Sequence, residues 1–141
     1  MENKPSIIGI AETWITETNY LVHKLEGYTF IENHSNLRSG GCAFFIRNDL
    51  NFEMTNNFNL NENNTNELWT KLVLPSGKKV LFAILYRHPI QGIKEFVDKF
   101  SIVLNKLDEA KLRYVIAGDV NINLADSTSS VMDFKDSHCF G

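Results

Sequence analysis

The sequence predicts an α/β fold in which helices cover a β-sheet. Residues 67–74 and 79–86 are rich in apolar side chains and flank Pro75-Ser76-Gly77-Lys78, the pattern of a β-hairpin closed by a tight turn. Residues 93–108 then place apolar side chains three and four positions apart, as an amphipathic helix does. Because a further strand is expected at residues 114–117, the order of elements indicates helix layered on sheet.

The remaining predicted elements are shorter. Three apolar or β-branched runs are expected to be strands: residues 6–11, 28–32 and 42–47. Residues 13–25 are expected to hold an irregular helix, and residues 131–140 to begin a last helix. The asparagine-rich run at residues 56–66 is predicted to be a surface loop or a weak edge strand, because asparagine favours turns.

The composition indicates one globular unit. The chain has 141 residues, of which 43% are hydrophobic and 22% charged, enough for a single modest core and too few for two domains. A net charge of −3 disfavours a protein that binds nucleic acid by electrostatics alone, since such proteins carry a basic face. The same charge is compatible with a phosphodiesterase, because a magnesium site needs carboxylates.

Cysteine usage and the first apolar run predict an intracellular protein. Cys42 and Cys139 lie far apart and lack the spacing of metal ligands, so we expect reduced thiols. The run at residues 7–11 is too short for the core of a signal peptide or for a membrane span. We therefore expect no signal peptide, no transmembrane segment and no association with a membrane.

Polar clusters follow three predicted strands, where a rigid scaffold can present side chains to a ligand. Glu12 follows the first strand, and a carboxylate in that position suits a hard cation such as Mg²⁺. Tyr86 and Arg87 end the hairpin and could donate hydrogen bonds to phosphate oxygens. The alternatives are a solvated glutamate at a strand end and a loop whose aromatic side chain packs on the sheet.

The third cluster, residues 118–123 (Gly-Asp-Val-Asn-Ile-Asn), is the strongest of the three. Asp119 and Asn121 alternate with apolar residues and would point to the same side of an extended backbone. A carboxylate can take a proton from water, and an amide can hold that water or a phosphate oxygen without adding charge. The alternative is an Asx-type turn that closes the strand.

Taken in order, these motifs resemble the endonuclease/exonuclease/phosphatase family. The likeness rests on residues 8–14 (Ile-Gly-Ile-Ala-Glu-Thr-Trp), Gly27-Tyr28, Gly40-Gly41 before an apolar strand, Glu67-Leu68-Trp69, Tyr86-Arg87-His88-Pro89 and residues 118–123. Within the family the sequence is most similar to the endonuclease domain of non-LTR retrotransposon polyproteins, including the jockey-like elements. The resemblance implies a four-layer α/β sandwich of the DNase I type over residues 1–141, with its active site at one rim of two facing sheets.

The resemblance also implies a role for each matching residue. Glu12 matches the metal-binding glutamate, Asp119 the aspartate that activates the attacking water, and Asn121 the asparagine that orients substrate and water. Tyr86 matches the tyrosine beside the scissile phosphate, and Arg87 is expected to touch the nucleic-acid backbone. The implied reaction is hydrolysis of a DNA phosphodiester with Mg²⁺, or Mn²⁺ in its place, as cofactor, and the implied location is the nucleus.

Departures from the family pattern predict impaired activity. Family members carry an asparagine on an earlier strand, and a catalytic histidine with an aspartate partner after several later strands; His138 lies too close to Asp119 to match that histidine. We therefore expect a truncated domain without its C-terminal strands, marginally stable and able to associate through an uncovered sheet face. Two alternatives stay open: a family member that acts on a small or lipid phosphoester, and a catalytically inactive domesticated fragment that serves as a binding module.

Overall fold

The computed structural model describes residues 4–16, 24–37 and 39–138, with side chains as far as residue 136. Seven strands and two helices follow one another within these residues. The strands are β1 (Ile7–Ala11), β2 (Tyr28–Asn33), β3 (Cys42–Arg47), β4 (Asn51–Met54), β5 (Thr65–Val73), β6 (Lys79–Arg87) and β7 (Tyr114–Asp119). The helices are α1 (Ile93–Glu109), between β6 and β7, and α2 (Ser129–His138), after β7.

The strands form two sheets. Strands β1, β3 and β2 make a three-stranded antiparallel sheet with β3 in the middle, and β4, β5, β6 and β7 make a four-stranded sheet in that order. The predicted hairpin is confirmed, because β5 and β6 pair antiparallel from Thr65↔Arg87 to Val73↔Lys79. Strands β6 and β7 pair in parallel, which requires a long crossover, and α1 provides it.

Strand β6 lies between two hydrophobic cores, because its side chains point alternately to two layers. One set packs with α1 and β5 in a core that contains Trp69, Leu81, Ala83, Leu85, Phe96, Phe100 and Leu107. The other set packs against the three-stranded sheet in a second core that contains Cys42, Phe44, Ile46, Leu68, Leu72, Ile84 and Tyr86. Two cores on opposite faces of one strand fix the position of its C-terminal end.

Cys42 belongs to this second core and has no disulfide partner among the described residues. Burial, and then the nearby Glu67 carboxylate, raise the pKa of the Cys42 thiol to about 12. A thiol with such a pKa stays protonated and inert at neutral pH. Cys139 lies outside the described residues.

Several boundaries differ from the sequence prediction. Strand β5 begins at Thr65, inside the asparagine-rich run, and α2 begins at Ser129, two residues earlier than expected. Strand β4 was not predicted, because it is short, mostly exposed and held by pairing with β5 alone. Residues 13–16 of the expected irregular helix have no regular structure, and residues 17–23 lie outside the described part of the chain.

Of the four layers that the resemblance implies, three lie within the described residues: the helices, the four-stranded sheet and the three-stranded sheet. Strand β7 is an edge of its sheet, and Val115 on it is 49% exposed. Beside it a groove of about 410 Å³ is lined by apolar side chains of α1, β7 and α2, including Phe100 and Phe134. The expected association through an uncovered sheet face would involve this edge, and it stays a prediction. In the described ranges, neither helix has the length and apolar character needed to cross a membrane.

The core between α1 and the sheet can be tested with one buried and one exposed residue of the same helix. Phe96 is fully buried, whereas Ile102 is 54% exposed. We expect Phe96→Ala to lower the free energy of unfolding by about 3–5 kcal/mol, because it removes a large side chain and leaves a cavity. Ile102→Ala should change it by less than about 0.5 kcal/mol. Urea unfolding followed by tryptophan fluorescence measures both; equal losses would contradict this packing.

Candidate active site

Three strand ends meet at one rim of the two sheets. Strands β6 and β7 are parallel, so their C-terminal ends lie on the same edge, with Tyr86 opposite Asp119 in register. Strand β1 ends at Ala11, and Glu12 follows it directly. The Tyr86 hydroxyl donates a hydrogen bond to Glu12 Oε1 at 3.3 Å. Residues predicted from three separate motifs therefore lie together.

The segment that carries Glu12 is held in an uncommon conformation. Glu12 has φ 58° and Trp14 has φ 57°, in the left-handed region that side chains other than glycine and asparagine seldom adopt. Two main-chain hydrogen bonds fix the segment, from Thr13 N to Gly41 O at 3.3 Å and from Trp14 N to Gly40 O at 2.9 Å. Local strain that is held by surrounding contacts is frequent at functional sites, and here it directs the Glu12 carboxylate to the rim.

Gly40 allows this segment to approach β6 closely. A Cβ atom on Gly40 would lie 2.6 Å from Asn66 Oδ1 and 2.6 Å from His88 Nε2, and Gly40 has φ 105°. Gly41 N in turn donates to Asn66 Oδ1 at 2.9 Å, and Asn66 pairs with Tyr86 across β5 and β6. The sequence reading missed Asn66 because it assigned this residue to the asparagine-rich loop; the only signal was its place directly before the apolar start of the hairpin.

Tyr86 is a hydrogen-bond donor at neutral pH. The residue is 3% exposed, and burial raises the pKa of its hydroxyl; the negative charge of Glu12 raises that pKa further. A hydrogen bond with the Asn121 side chain acts in the opposite direction. A neutral phenol between Glu12 and Asn121 can donate to one charged oxygen at a time.

His88 lies behind Tyr86 and contributes packing. Its ring meets the Tyr86 ring edge to face at a centroid distance of 4.9 Å, and its Nε2 lies 3.4 Å from the Ser35 hydroxyl. His88 is 4% exposed, and burial lowers the pKa of its imidazole, against the opposing effect of the Glu12 charge. A buried neutral imidazole supplies no positive charge to the rim.

Asp119 and Asn121 are brought together by a turn. The expected extended backbone ends at Asp119, the last residue of β7, and Asn121 adopts φ 49°. Asn121 N donates to Asp119 Oδ1 at 2.9 Å, which is the Asx turn weighed as the alternative. The turn directs the Asn121 amide back to β6, where its Nδ2 donates to Arg87 O at 2.7 Å. The two side chains still share the rim, for a reason other than strand alternation.

Arg87 is buried against the main chain, and its expected contact with nucleic acid stays a prediction. It is 2% exposed, and its guanidinium donates to four main-chain carbonyls. Two of these carbonyls belong to Val120 and Asn121, at 2.5 and 2.6 Å, and the other two to His88 and Gln91. These hydrogen bonds use four of the five N–H donors of the guanidinium.

The rim offers two exposed carboxylates, Glu12 and Asp119. Within the described ranges, no three or more histidine, cysteine or acidic side chains gather as a metal cage. This donor set fits Mg²⁺, which binds one or two carboxylates and keeps several waters, better than Zn²⁺, which needs three or four protein ligands.

Known structures share this arrangement of two sheets and helices. The chain is similar to the human Nocturnin catalytic domain with bound sulfate (TM-score 0.61, 16% identity, covering 96% of this chain and 57% of that one). It is also similar to D. rerio TDP2 in complex with single-strand DNA product (TM-score 0.62, 19% identity, 92% and 51% covered) and to D. rerio TDP2 humanized by 14 mutations (TM-score 0.60, 20% identity, 84% and 53% covered). No family model and no curated protein matches the sequence.

The fold is DNase I-like. Two facing sheets with few helices agree with these neighbours, so the fold class predicted from the sequence is confirmed. The chain spans 51–57% of the length of these three structures. At 16–20% identity the likeness concerns the fold, and the roles of individual rim residues are a separate question.

The close approach at Gly40 can be tested against a matched glycine. Gly77 also has a positive φ, 76°, but a Cβ atom there would meet nothing within 4 Å. Both glycine-to-alanine changes carry backbone strain, whereas only Gly40→Ala also pushes against the side chains of Asn66 and His88. We expect Gly40→Ala to lower the free energy of unfolding by about 1–3 kcal/mol more than Gly77→Ala. Urea denaturation measures the difference, and equal values would argue against the close approach.

Proposed function

We propose that this chain carries the catalytic rim of a metal-dependent phosphodiesterase that cleaves DNA, an endonuclease of the retrotransposon type. The observation that carries the proposal is the position of Tyr86. Its hydroxyl donates to Glu12 and hydrogen-bonds Asn121, while its main chain pairs with Asp119. Four polar residues from three strand ends thus lie at the same rim, where a phosphate group could meet them.

Each residue has a chemical task in this proposal. The Asp119 carboxylate takes the proton of the water whose oxygen attacks phosphorus, because it is exposed at the end of β7. Tyr86 and Asn121 donate hydrogen bonds to the non-bridging oxygens, on which negative charge grows as the water oxygen bonds to phosphorus. The bond from phosphorus to the leaving oxygen then breaks, and that oxygen takes a proton from solvent. Glu12 would hold Mg²⁺, or Mn²⁺ in its place, and the bound ion would supply positive charge to the phosphate.

DNA is proposed as the substrate on two grounds. The motifs resemble those of retrotransposon endonucleases, and one structural neighbour, D. rerio TDP2, holds a single-strand DNA product. The net charge of −3 favours recognition by hydrogen bonds and the metal over recognition by a broad basic face. A chromosomal DNA substrate would place the protein in the nucleus.

The proposal is tested by nicking of supercoiled plasmid in the presence of Mg²⁺. We expect nicking by the folded chain to disappear with a chelator. Asp119→Asn and Glu12→Gln should each lower the rate by about 10²–10³, the usual effect of removing one group that acts on the transition state. Both changes keep the size of the side chain and remove one negative charge.

Glu109→Gln is the matched control, because Glu109 is an exposed acid at the far end of α1. It removes the same charge outside the rim and should leave the nicking rate unchanged. Circular dichroism shows whether each variant is folded. Nicking that is absent from folded wild-type protein, or that survives both rim changes, would overturn the proposal. Hydrolysis of bis(p-nitrophenyl) phosphate without plasmid nicking would instead indicate a small phosphoester as substrate.

A further inference from the structure

The Arg87 guanidinium donates its hydrogen bonds to main-chain carbonyls of the protein itself. We propose that it is a positioning residue, whose guanidinium fixes the turn that carries Asp119 and Asn121 and makes no contact with nucleic acid. The inference rests on the proposed function, because it gives Arg87 a task in the same site. Its structural half, the fixing of the turn, can be tested without any activity.

The guanidinium joins two separate pieces of chain. On one side, Nε donates to Val120 O at 2.5 Å and Nη2 donates to Asn121 O at 2.6 Å. On the other side, Nη1 donates to His88 O at 3.3 Å and to Gln91 O. Because the guanidinium is planar and its donors are fixed relative to one another, two consecutive carbonyls of the turn can bind it in only one orientation.

Besides Arg87, the turn is held by the Asx hydrogen bond from Asn121 N to Asp119 Oδ1 and by Val120 and Ile122, which pack against the core. Residues 120–128 follow the end of β7 and belong to no helix or strand, so no ladder of main-chain hydrogen bonds holds them. Asn121 sits at φ 49°, in the left-handed region that asparagine adopts more readily than most residues. Its side chain returns to Arg87 by donating from Nδ2 to Arg87 O at 2.7 Å. Arg87 and Asn121 are thus linked in both directions.

The guanidinium is itself held in place. Its central carbon lies 6.0 Å from the centroid of the Phe96 ring, and Phe96 is fully buried in the core under α1. Arg87 is 2% exposed, so little of its surface is open to a phosphate. Through this stack the hydrophobic core is connected to the residue that binds the turn.

The experiment compares Arg87→Met and Arg87→Lys with wild type. Methionine fills the space without donors, and lysine keeps the charge but cannot bind two carbonyls with a fixed fork. We expect amide hydrogen exchange of residues 119–123 to become about tenfold faster or more in both, relative to the amides of α1, as loss of a hydrogen bond to a charged group implies. Lys106→Met, which removes an exposed positive charge from α1, is the control and should leave that exchange unchanged.

A second readout separates positioning from phosphate contact. In a chelator, where no cleavage occurs, the logarithm of DNA affinity falls linearly with the logarithm of salt concentration, and each phosphate contact contributes about 0.9 to the slope. We expect Arg87→Met to leave this slope unchanged, and to lower kcat for nicking about 100-fold with little change in KM, as misplaced catalytic groups do. A slope reduced by about 0.9 would show a phosphate contact and overturn the proposal.

Wild-type protein provides the test if a variant fails to fold. The Arg87 Nε–H and Nη–H signals in a nitrogen-15 spectrum should be resolved, slow to exchange and unmoved when DNA is added. Rapid exchange of these protons, or a change in their chemical shifts when DNA is added, would overturn the proposal. Unchanged amide exchange of residues 119–123 in folded variants would also overturn it. Wild-type protein that neither binds nor nicks DNA would contradict the proposed function alone, because the exchange measurements on Arg87 would still stand.

Discussion

The parallel pairing of β6 with β7 is the constraint on which the rest of the rim depends. It sets Tyr86 opposite Asp119, so two residues that are 33 positions apart share one sheet edge. The crossover helix α1 makes this pairing possible and covers the sheet with Phe96, Phe100 and Leu107. If the register shifted by one residue, the side chains of β7 would exchange faces and the pairing of Tyr86 with Asp119 would be lost. The hydrophobic contacts of α1 therefore also determine the geometry of the rim.

Two buried ionic groups hold loops to this framework. Arg87 binds the turn after β7, as described above. Glu67, on β5, is 6% exposed and accepts hydrogen bonds from Leu60 N, Asn61 N and the Trp69 indole at 3.0, 3.2 and 2.8 Å. Burial raises the pKa of the Glu67 carboxyl, while its three donors lower it, so desolvation outweighs the hydrogen bonds. In both cases an ionisable side chain binds main-chain atoms of a loop that has no helical or sheet hydrogen bonds of its own.

The raised pKa of Glu67 determines how this residue affects stability as the pH changes. Because the folded-state pKa is raised above the ordinary value of 4.5, its contribution to stability is fully present below that value and is lost as pH rises through the folded-state pKa. Ionisation of the buried Glu67 carboxyl therefore costs stability as the pH rises through its folded-state pKa. The three hydrogen bonds that this carboxylate accepts fix the asparagine-rich loop, whose own composition favours turns but no particular one.

Local patterns of the sequence determined the hairpin, the long helix and the strand before Asp119. Each of these signals lies within a window of about 20 residues or fewer, because periodicity and turn chemistry are local properties. Glu12, Tyr86, Asp119 and Asn121 were named from the same kind of pattern, polar residues directly after apolar strands. That pattern identifies candidates without showing which of them meet.

Tertiary structure decided the rest. The close approach at Gly40, the pairing of Asn66 with Tyr86 and the burial of Arg87 all depend on residues far apart in sequence. Arginine beside a tyrosine at a strand end is equally suited to binding phosphate or main-chain carbonyls, because its donors fit both. Only the placement of Val120 and Asn121 against its fork determines which acceptor it meets. The sequence by itself determined which elements form and which residues can act, and the packing of two sheets and a helix determined where those residues point.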